Sequence, residues 1–320
     1  MQKSKICLTT FIYGVKYQGY IPFLIYSCNK SYPEYDIILF LYDNLDLNIK
    51  KQIDLVGKKN LIVKERCFKD CPKMNPLKAR SLRWVLWDDI FISYDYLYVV
   101  DIDMFYMREP KPLHQQHIEH MATTSLPYDN LRRCFIRTPF KPTSIAYRLH
   151  KAGLQNLYGF LFGSKKDFRL SGLHFVKTKS YFAYLDSRKR KEYREKIYNN
   201  SYLRNVLSSN DEAFLYQIIK ELGMHPEKVP LQTNTTKMLD FDNCSRKEFR
   251  PHHGIHLGFF RQNTINRNKV LDSKTYLYYI NEFKEYIIKD EMFNKLLELA
   301  SEDIKAQFMR FYEYYEMNKN

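Results

Sequence analysis

The sequence predicts an α/β protein built on a parallel, doubly wound sheet, and three observations carry that prediction. Short apolar runs alternate with segments of helical spacing from the amino terminus onward, as expected when helices connect parallel strands. The run Tyr96–Val100 (YLYVV) is apolar without alternation, which is typical of a strand buried on both faces. With 320 residues, of which 45% are hydrophobic, the chain can bury a large core.

The elements follow in order along the first third of the chain. The predicted strands are Lys5–Tyr13, Tyr35–Tyr42, Leu61–Lys64 and the run that ends in Asp101-Ile102-Asp103. The predicted helices between them are Tyr17–Asn29, Leu47–Gly57 and Pro76–Phe91. After Pro110 we expect a strand at Ser171–Val176, a helix over Asn210–Leu222 with Asn210 as its cap, and two or three helices beyond Lys269.

Cysteine usage and the amino terminus indicate a cytoplasmic protein. Six cysteines are scattered without a CxxC pair, which favours reduced thiols; Cys67 and Cys71 could bind a metal with a histidine, but no matching second pair exists. The start MQKSKICLTTFIYG is too short and too polar for a spanning helix, and no small-residue cleavage site follows it. We interpret it as the first strand.

The positive charge of the chain is concentrated in its middle. Residues 127–205 carry 18 Lys and Arg against 5 Asp and Glu, within a total net charge of +15. Such a segment suits an anionic partner: a phosphorylated small molecule, an acidic glycan, anionic lipid or nucleic acid. A solvated helix face, including Arg188–Lys191, explains the same charge equally well.

Two aspartates close the apolar run, at Asp101 and Asp103. Alternate residues of an extended segment point to the same side, so two unpaired carboxylates there would repel each other and lose hydration. The sequence has neither GxGxxG after its first strand nor GxxxxGK[ST], which excludes the dinucleotide fingerprint and the P-loop. We therefore expect a divalent cation, Mn²⁺ or Mg²⁺, that bridges the carboxylates to a diphosphate.

Two segments resemble a known enzyme family. The run KARSLRWVLWDDIFISYDYLYVVDIDMFYM (residues 78–107) is similar to the basic helix and DxD strand of family 8 glycosyltransferases, and HLGFFR (residues 256–261) resembles their late HxxGxxK segment. The motif VVDIDM also resembles the DVDM strand of family 6, whose later DE pair is similar to Asp211-Glu212. The likeness to GT-A fold nucleotide-sugar glycosyltransferases covers most of residues 5–261.

This resemblance implies a fold, a domain division and a set of metal ligands. The fold would be a GT-A type, Rossmann-like mixed sheet flanked by helices, with a helical carboxyl-terminal region. Residues 1–265 would form the catalytic domain, with a nucleotide-sugar half (1–110) and an acceptor half (111–265), and residues 266–320 a helical extension. The metal ligands would be Asp101, Asp103 and His256, with His253 as the alternate.

The resemblance also implies roles for donor and acceptor residues. Arg261 would contact the diphosphate, and Asp101, besides binding the metal, would contact the ribose. Gly172 would let the backbone approach the sugar. The family also places a basic residue on this helix in contact with the nucleotide-sugar donor. We favour Arg80 over Lys78 and Arg83 for this role, since one helix cannot turn all three to the same face. The position where the family binds uridine corresponds in this sequence to Thr9, Phe11 and Tyr13. Asp211 and Glu212 would act near the acceptor, although acidic residues at a helix start also simply complement its dipole.

The leading hypothesis is a metal-dependent transfer of a sugar from a nucleotide-sugar, such as a UDP-sugar, to a bacterial surface glycan or lipid-linked saccharide of capsule or lipopolysaccharide type. We expect a cytoplasmic protein, peripheral on the inner face of an anionic membrane, without a nucleic-acid partner. The alternatives are a metal-dependent nucleic-acid-processing protein and a non-catalytic sugar- or lipid-binding protein.

Overall fold

The computed structural model describes residues 4–130, 133–137, 166–200, 211–229, 231–232, 254–261 and 279–317. Its main sheet comprises β1 (Ile6–Ile12), β2 (Asp36–Leu41), β3 (Leu61–Lys64), β4 (Tyr96–Val99), β6 (Tyr128–Asn130) and β9 (His174–Lys177). The strand order is β3-β2-β1-β4-β9-β6, parallel from β3 to β4, with β9 antiparallel to both of its neighbours. The sheet is therefore mixed, as the resemblance implies, and the parallel arrangement predicted from the amino-terminal elements holds from β3 to β4.

Two smaller sheets complete the strands. One joins β7 (Arg133–Arg137) to β8 (Lys166–Leu170) and β10 (Leu231–Gln232), and the other pairs β5 (Met104–Tyr106) with β11 (Gly254–His256). The second pairing is antiparallel and sets His256 opposite Met104. It therefore brings a segment from late in the sequence beside the aspartates that precede β5.

Helices cover the main sheet. Their bounds are Val15–Gln18, Ile21–Ser31, Leu47–Val56, Pro76–Leu82, Leu113–Thr124, Thr178–Tyr184, Ser187–Tyr198, Asp211–Glu221, Glu291–Leu299 and Glu302–Met317, with a π-helical turn at Phe283–Ile287. Asp46 caps the helix that starts at residue 47, because its side chain accepts hydrogen bonds from the amides of Asn48 and Ile49. None of the described helices is long and apolar enough to cross a membrane.

The single helix predicted over Pro76–Phe91 is wrong. The α-helix ends at Leu82, and short 3₁₀ turns follow at Arg83–Val85 and Asp89–Ser93. The Asp88 side chain accepts a hydrogen bond from the amide of Ile90 at 3.2 Å and so starts a new turn, which competes with continued helix. The backbone stays helical at Leu82 and Arg83 and becomes extended at Leu86, where ψ is 139°.

Two apolar clusters lie on opposite faces of the main sheet. Ile6 and Leu8 of β1 belong to the cluster that packs under the helices Ile21–Ser31 and Glu291–Leu299. Cys7 and Phe11, which alternate with them, belong to the cluster on the other face, and burial on both faces explains the uninterrupted apolar runs. The predicted cap Asn210 and the predicted boundary between residues 265 and 266 lie outside the described residues.

Candidate active site

The two aspartates lie in the connection between β4 and β5, not within one strand. β4 ends at Val99, and the chain turns at residues 102–103 before it enters β5. Because a turn separates them, Asp101 and Asp103 have different partners, and each is the centre of a charged cluster. Both stand just beyond the carboxyl end of β4, where open α/β sheets bind ligands.

The Asp103 cluster comprises Asp103, His256 and Arg261. The Nε2 atom of His256 lies 3.1 Å from Oδ1 of Asp103, and Nη2 of Arg261 donates a hydrogen bond to Oδ2 at 2.9 Å. The amide of Leu257 also donates to the carbonyl oxygen of Asp103 at 2.9 Å, which extends the pairing of β5 with β11. Two of the three predicted metal ligands, Asp103 and His256, are thus brought together with Arg261, which was predicted for the diphosphate. The third predicted ligand, Asp101, pairs with Arg83 instead. The alternate, His253, lies outside the described residues.

Opposite charges shift both titratable groups of this cluster. Burial alone would raise the pKa of Asp103, but the charges of His256 and Arg261 hold that pKa at about 2. Burial lowers the pKa of His256, and the neighbouring Asp103 carboxylate more than reverses this effect, so that the net pKa is raised. The carboxylate is therefore ionised at neutral pH.

Two glycines leave the space that this cluster occupies. A Cβ atom on Gly258 would lie 2.5 Å from Oδ2 of Asp103 and 3.2 Å from Nε2 of His256. At Gly254, where φ is +134°, a Cβ atom would lie 2.1 Å from the carbonyl oxygen of Phe105. The glycines of the HHGIHLG segment therefore allow β11 to approach β5 and allow the side chains of Asp103 and His256 to meet.

Aromatic rings and the carboxyl-terminal helix hold Arg261 in place. Its guanidinium lies 5.4 Å from the ring centre of Tyr17 and 5.9 Å from that of Tyr20. The Tyr20 hydroxyl in turn donates to Oε1 of Gln307 at 3.0 Å. The helix Glu302–Met317 therefore supports the site from behind through Gln307.

The Asp101 cluster is organised by Arg83. One guanidinium nitrogen forms an ion pair with Asp101, and the other donates to Oδ2 of Asp211 at 2.8 Å. The side chain of Arg83 is only 5% exposed, so the two carboxylates compensate a buried cation. The indole nitrogen of Trp84 donates to the carbonyl oxygen of Asp211 at 3.0 Å, which fixes the start of the helix Asp211–Glu221 beside the aspartates.

Gly172 lies where this cluster meets a second ion pair. A Cβ atom there would lie 2.8 Å from Oδ2 of Asp101, 3.1 Å from Nη2 of Arg83 and 3.5 Å from Oε1 of Glu212. Glu212 forms an ion pair with Arg169 at 3.1 Å. Asp211 and Glu212 are therefore both at the site, and glycine is the residue that fits between the three side chains around it.

Sequence reasoning chose Arg80 and missed Arg83 and Arg169. The side chain of Arg80 is 59% exposed, and its Nε atom lies 3.8 Å from Asp211, whereas Arg83 contacts both carboxylates directly. The signal was available, since an arginine within the apolar run Leu82-Arg83-Trp84-Val85 is expected to be buried and therefore paired.

The residues predicted for uridine differ in their exposure. Thr9 is fully buried at 0% exposure and Phe11 at 6%, with its ring packed edge-on against Phe68. The ring of Tyr13 is partly exposed and packs edge-on against Tyr42, with 5.3 Å between ring centres. Tyr13 therefore offers a ligand more side-chain surface than Thr9 or Phe11.

The donor set accommodates a divalent ion that takes further ligands from a substrate. Within the described ranges, no three His, Cys, Asp or Glu side chains form a complete set of metal ligands. Asp103 and His256 provide a carboxylate and an imidazole 3.1 Å apart, with the bare backbone of Gly258 beside them. Mn²⁺ accepts both donor types, and Mg²⁺ or Mn²⁺ commonly uses few protein ligands plus phosphate oxygens.

The structure is similar to solved glycosyltransferases. Core-mannan synthase A from Aspergillus fumigatus, in an Mn/GDP form, is 10% identical over 68% of this chain and 70% of its own, with a TM-score of 0.43. The galactosyltransferase LgtC, in complex with donor and acceptor sugar analogues, is 14% identical over 73% of this chain and 74% of its own, with a TM-score of 0.34. The glycosyltransferase GlyE from Streptococcus pneumoniae is 11% identical over 99% of this chain and 64% of its own, with a TM-score of 0.40. No protein-family model and no curated protein matches the sequence.

Proposed function

We propose that the chain is a metal-dependent glycosyltransferase that transfers a sugar from a nucleotide-sugar donor to a saccharide acceptor. The observation that carries this proposal is the meeting of Asp103, His256 and Arg261 beyond the carboxyl end of β4. A carboxylate and an imidazole suit Mn²⁺ or Mg²⁺, and a guanidinium suits the oxygens of a diphosphate. Residues 1–265 would then form the catalytic domain and residues 266–320 a supporting extension.

Asp103 and His256 would hold the ion, with Asp101 close by. With an ion held there, these residues would provide Lewis-acid stabilisation of the negative charge on the departing diphosphate. Arg261 binds the same diphosphate with its two-pronged guanidinium, which requires that its hydrogen bond to Asp103 be exchanged for bonds to phosphate oxygens. Its contacts with Tyr17 and Tyr20 would keep the guanidinium at the site during this exchange.

Glu212 is the better candidate for contact with the reacting sugar. Its side chain is 24% exposed, whereas that of Asp211 is 5% exposed and bonded to Arg83. Asp211 then orients Arg83 and Asp101, and Gly172 leaves room for the sugar beside Glu212. In an inverting reaction Glu212 would take the proton of the acceptor hydroxyl, and in a retaining reaction it would lie near the anomeric carbon.

We further propose a UDP-sugar as the donor, with its base against Tyr13. The partly exposed ring of Tyr13, at the end of β1, provides a surface on which a nucleobase can stack. The ribose would lie towards Asp101, between the base and the ion. The acceptor would be a surface glycan or lipid-linked saccharide of a bacterial capsule or lipopolysaccharide.

A peripheral contact with an anionic membrane belongs to the same proposal. The helix Ser187–Tyr198 reads SRKRKEYREKIY and presents the exposed side chains of Arg188 and Lys191. Beside it, Ile92 and Tyr184 are 55% and 48% exposed. Basic residues next to exposed apolar side chains are the composition of surfaces that bind anionic lipid.

The proposal is tested by measuring the release of nucleoside diphosphate from a panel of UDP- and GDP-sugars, with Mn²⁺, Mg²⁺ or EDTA, and with saccharide acceptors. We expect release from one donor that requires metal and is lost in Asp103→Ala. Asp54→Ala, which removes an exposed carboxylate from the helix Leu47–Val56, is the matched control and should leave release unchanged. Donor binding without release under any condition would instead support a non-catalytic binding protein. Salt-dependent binding to nucleic acid would support a nucleic-acid-processing protein.

A further inference from the structure

A small cavity lies beside Arg83. The polar side chains of Thr9, Arg83 and His174 line it. The remaining lining is aromatic and aliphatic and consists of Trp84, Leu86, Phe91, Leu97, Val99, Val176, Tyr181 and Phe182. The cavity has room for about one water molecule.

Strand register explains why these polar side chains share one cavity. Thr9 of β1 pairs with Val99 of β4, and Val99 pairs with His174 of β9. Residues directly opposite one another in adjacent strands point to the same face of a sheet. The side chains of Thr9, Val99 and His174 therefore form a row across the sheet. Arg83 lines the same cavity beside that row.

Each of the three polar residues has a buried atom that lacks a hydrogen-bond partner within the described part of the chain. These atoms are the hydroxyl oxygen of Thr9, Nε of Arg83 and Nε2 of His174. A buried polar atom without a partner carries a desolvation cost that folded proteins rarely tolerate. Three such atoms around one small cavity point to a shared partner.

The tautomer of His174 follows from its neighbours. Oδ1 of Asn130 accepts a hydrogen bond from the amide of Ser171 at 2.8 Å, and Nδ2 donates to the Ser171 carbonyl oxygen at 3.1 Å, which fixes the amide orientation. Nδ2 of Asn130 also lies 3.3 Å from Nδ1 of His174, so Nδ1 is the acceptor and Nε2 carries the proton. Burial lowers the pKa of His174 to about 3, and the ring is therefore neutral at physiological pH.

We infer that the cavity binds one ordered water molecule, which accepts hydrogen bonds from Nε of Arg83 and Nε2 of His174 and donates one to the hydroxyl of Thr9. This arrangement satisfies all three buried atoms with three bonds, which is the usual number for an internal water. Thr9 and His174 become positioning residues, because they hold the third nitrogen of the guanidinium whose other two nitrogens bind Asp101 and Asp211.

A halide ion offers the only other simple acceptor for two N–H donors, and the local charge disfavours it. Asp101 and Asp211 both pair with Arg83 and offset its positive charge, and His174 is neutral. A further anion beside two carboxylates would be repelled. Water supplies the same acceptor without added charge and also the donor that Thr9 requires.

Two substitutions of Thr9 distinguish a water-binding role of its hydroxyl from simple filling of space by its side chain. Thr9→Val keeps the shape and removes the hydroxyl, whereas Thr9→Ser keeps the hydroxyl and removes a methyl group. If the side chain only fills space, Val should be the better replacement. If it binds water, Thr9→Ser should keep the slow solvent exchange of the Arg83 Nε proton measured by NMR, and Thr9→Val should accelerate it about fivefold, the factor expected for one hydrogen bond.

A high-resolution crystal structure of the unaltered protein, with a bromide soak, provides the direct test. We expect one water density within hydrogen-bond distance of all three atoms and no anomalous bromide signal. A dry cavity, a bromide peak at this position, or a Thr9→Val variant with unchanged proton exchange would each overturn the water site. Neither measurement depends on turnover, so the result stands apart from the proposed transferase activity.

Discussion

At the level of single residues, the candidate site depends on glycines that stand where no side chain fits. Gly258 faces the carboxylate of Asp103 and the imidazole of His256, and Gly172 faces Asp101, Arg83 and Glu212. A methyl group at either position would displace charged atoms whose placement decides what can bind. Because the displaced groups are side-chain ends, the fold itself can adjust to the substitution.

We predict that Gly258→Ala lowers the affinity for Mn²⁺ by about tenfold or more while the protein remains folded, since the added Cβ would lie 2.5 Å from Oδ2 of Asp103. Calorimetric titration with Mn²⁺ measures this loss. The control is Gly19→Ala, where φ is −58° and the added Cβ would meet one flexible methyl group of Ile304. Equal Mn²⁺ affinity in the two variants would show that Gly258 does not shape an ion site.

Sequence reasoning located part of this site and missed part, for identifiable reasons. Asp103, His256 and Arg261 were chosen on a motif order shared with a known family, and they meet in the structure. Arg83 was set aside because a continuous helix was assumed. Its burial depends on what packs over residues 83–85, including the helix Ser187–Tyr198, and the periodicity of one helix does not detect such packing.

At the level of secondary structure, the strands were predicted closely and the helix ahead of the aspartates was not. The predicted strands Lys5–Tyr13 and Tyr35–Tyr42 correspond to Ile6–Ile12 and Asp36–Leu41, because an apolar run buried on both faces has little ambiguity. The predicted strand Ser171–Val176 begins later, at His174, and runs antiparallel. Strand direction depends on the connection through residues 111–170, which local patterns do not encode.

The burial of Arg83 has a measurable consequence. Arg83→Met would leave Asp101 and the buried Asp211 as neighbouring carboxylates without their shared cation, and we expect the free energy of unfolding to fall by about 3–5 kcal/mol. Urea unfolding of Arg83→Met and Arg80→Met measures the difference. The second variant removes a side chain that is 59% exposed, so its change should stay within about 0.5 kcal/mol.

Partial recovery of stability in Arg83→Met on adding Asp211→Asn would confirm that charge, and not packing, is responsible. If Arg80→Met proved as destabilising as Arg83→Met, the cation that matters would be the exposed one. In that case the role assigned to the buried arginine would be wrong.

At the level of the whole molecule, the proposed membrane surface adjoins the segment that carries Arg83. The helix Thr178–Tyr184 starts beside the amino end of β4, where the amide of Thr178 donates to the carbonyl oxygen of Asp95. It packs against the turn Asp89–Ser93, and Arg190 stacks on Trp87 at 4.1 Å. The basic helix Ser187–Tyr198 contacts the helix Pro76–Leu82 and the turn Arg83–Val85. The elements of the basic surface therefore also support the Asp101 cluster.

The membrane contact predicts a specific loss of vesicle binding. Arg188→Glu combined with Lys191→Glu should weaken binding to vesicles that contain phosphatidylglycerol by tenfold or more, at about 1 kcal/mol per basic residue near the lipid surface. Lys50→Glu combined with Lys51→Glu changes the net charge equally on another exposed helix and should have a smaller effect. Vesicle sedimentation at two salt concentrations measures both, and equal losses would indicate general electrostatic attraction without a defined surface.

The pairing of β5 with β11 has a consequence for how the chain folds. Asp103 and His256 are 153 positions apart, and their contact requires closure of a longer stretch of chain than any pairing among the strands of the first hundred residues. Closure of such a loop carries an entropic cost that local contacts do not have, so it belongs to the late steps of folding. A nascent or partly refolded chain would therefore acquire its first four parallel strands well before it could retain an ion, and ion affinity would mark the completion of folding.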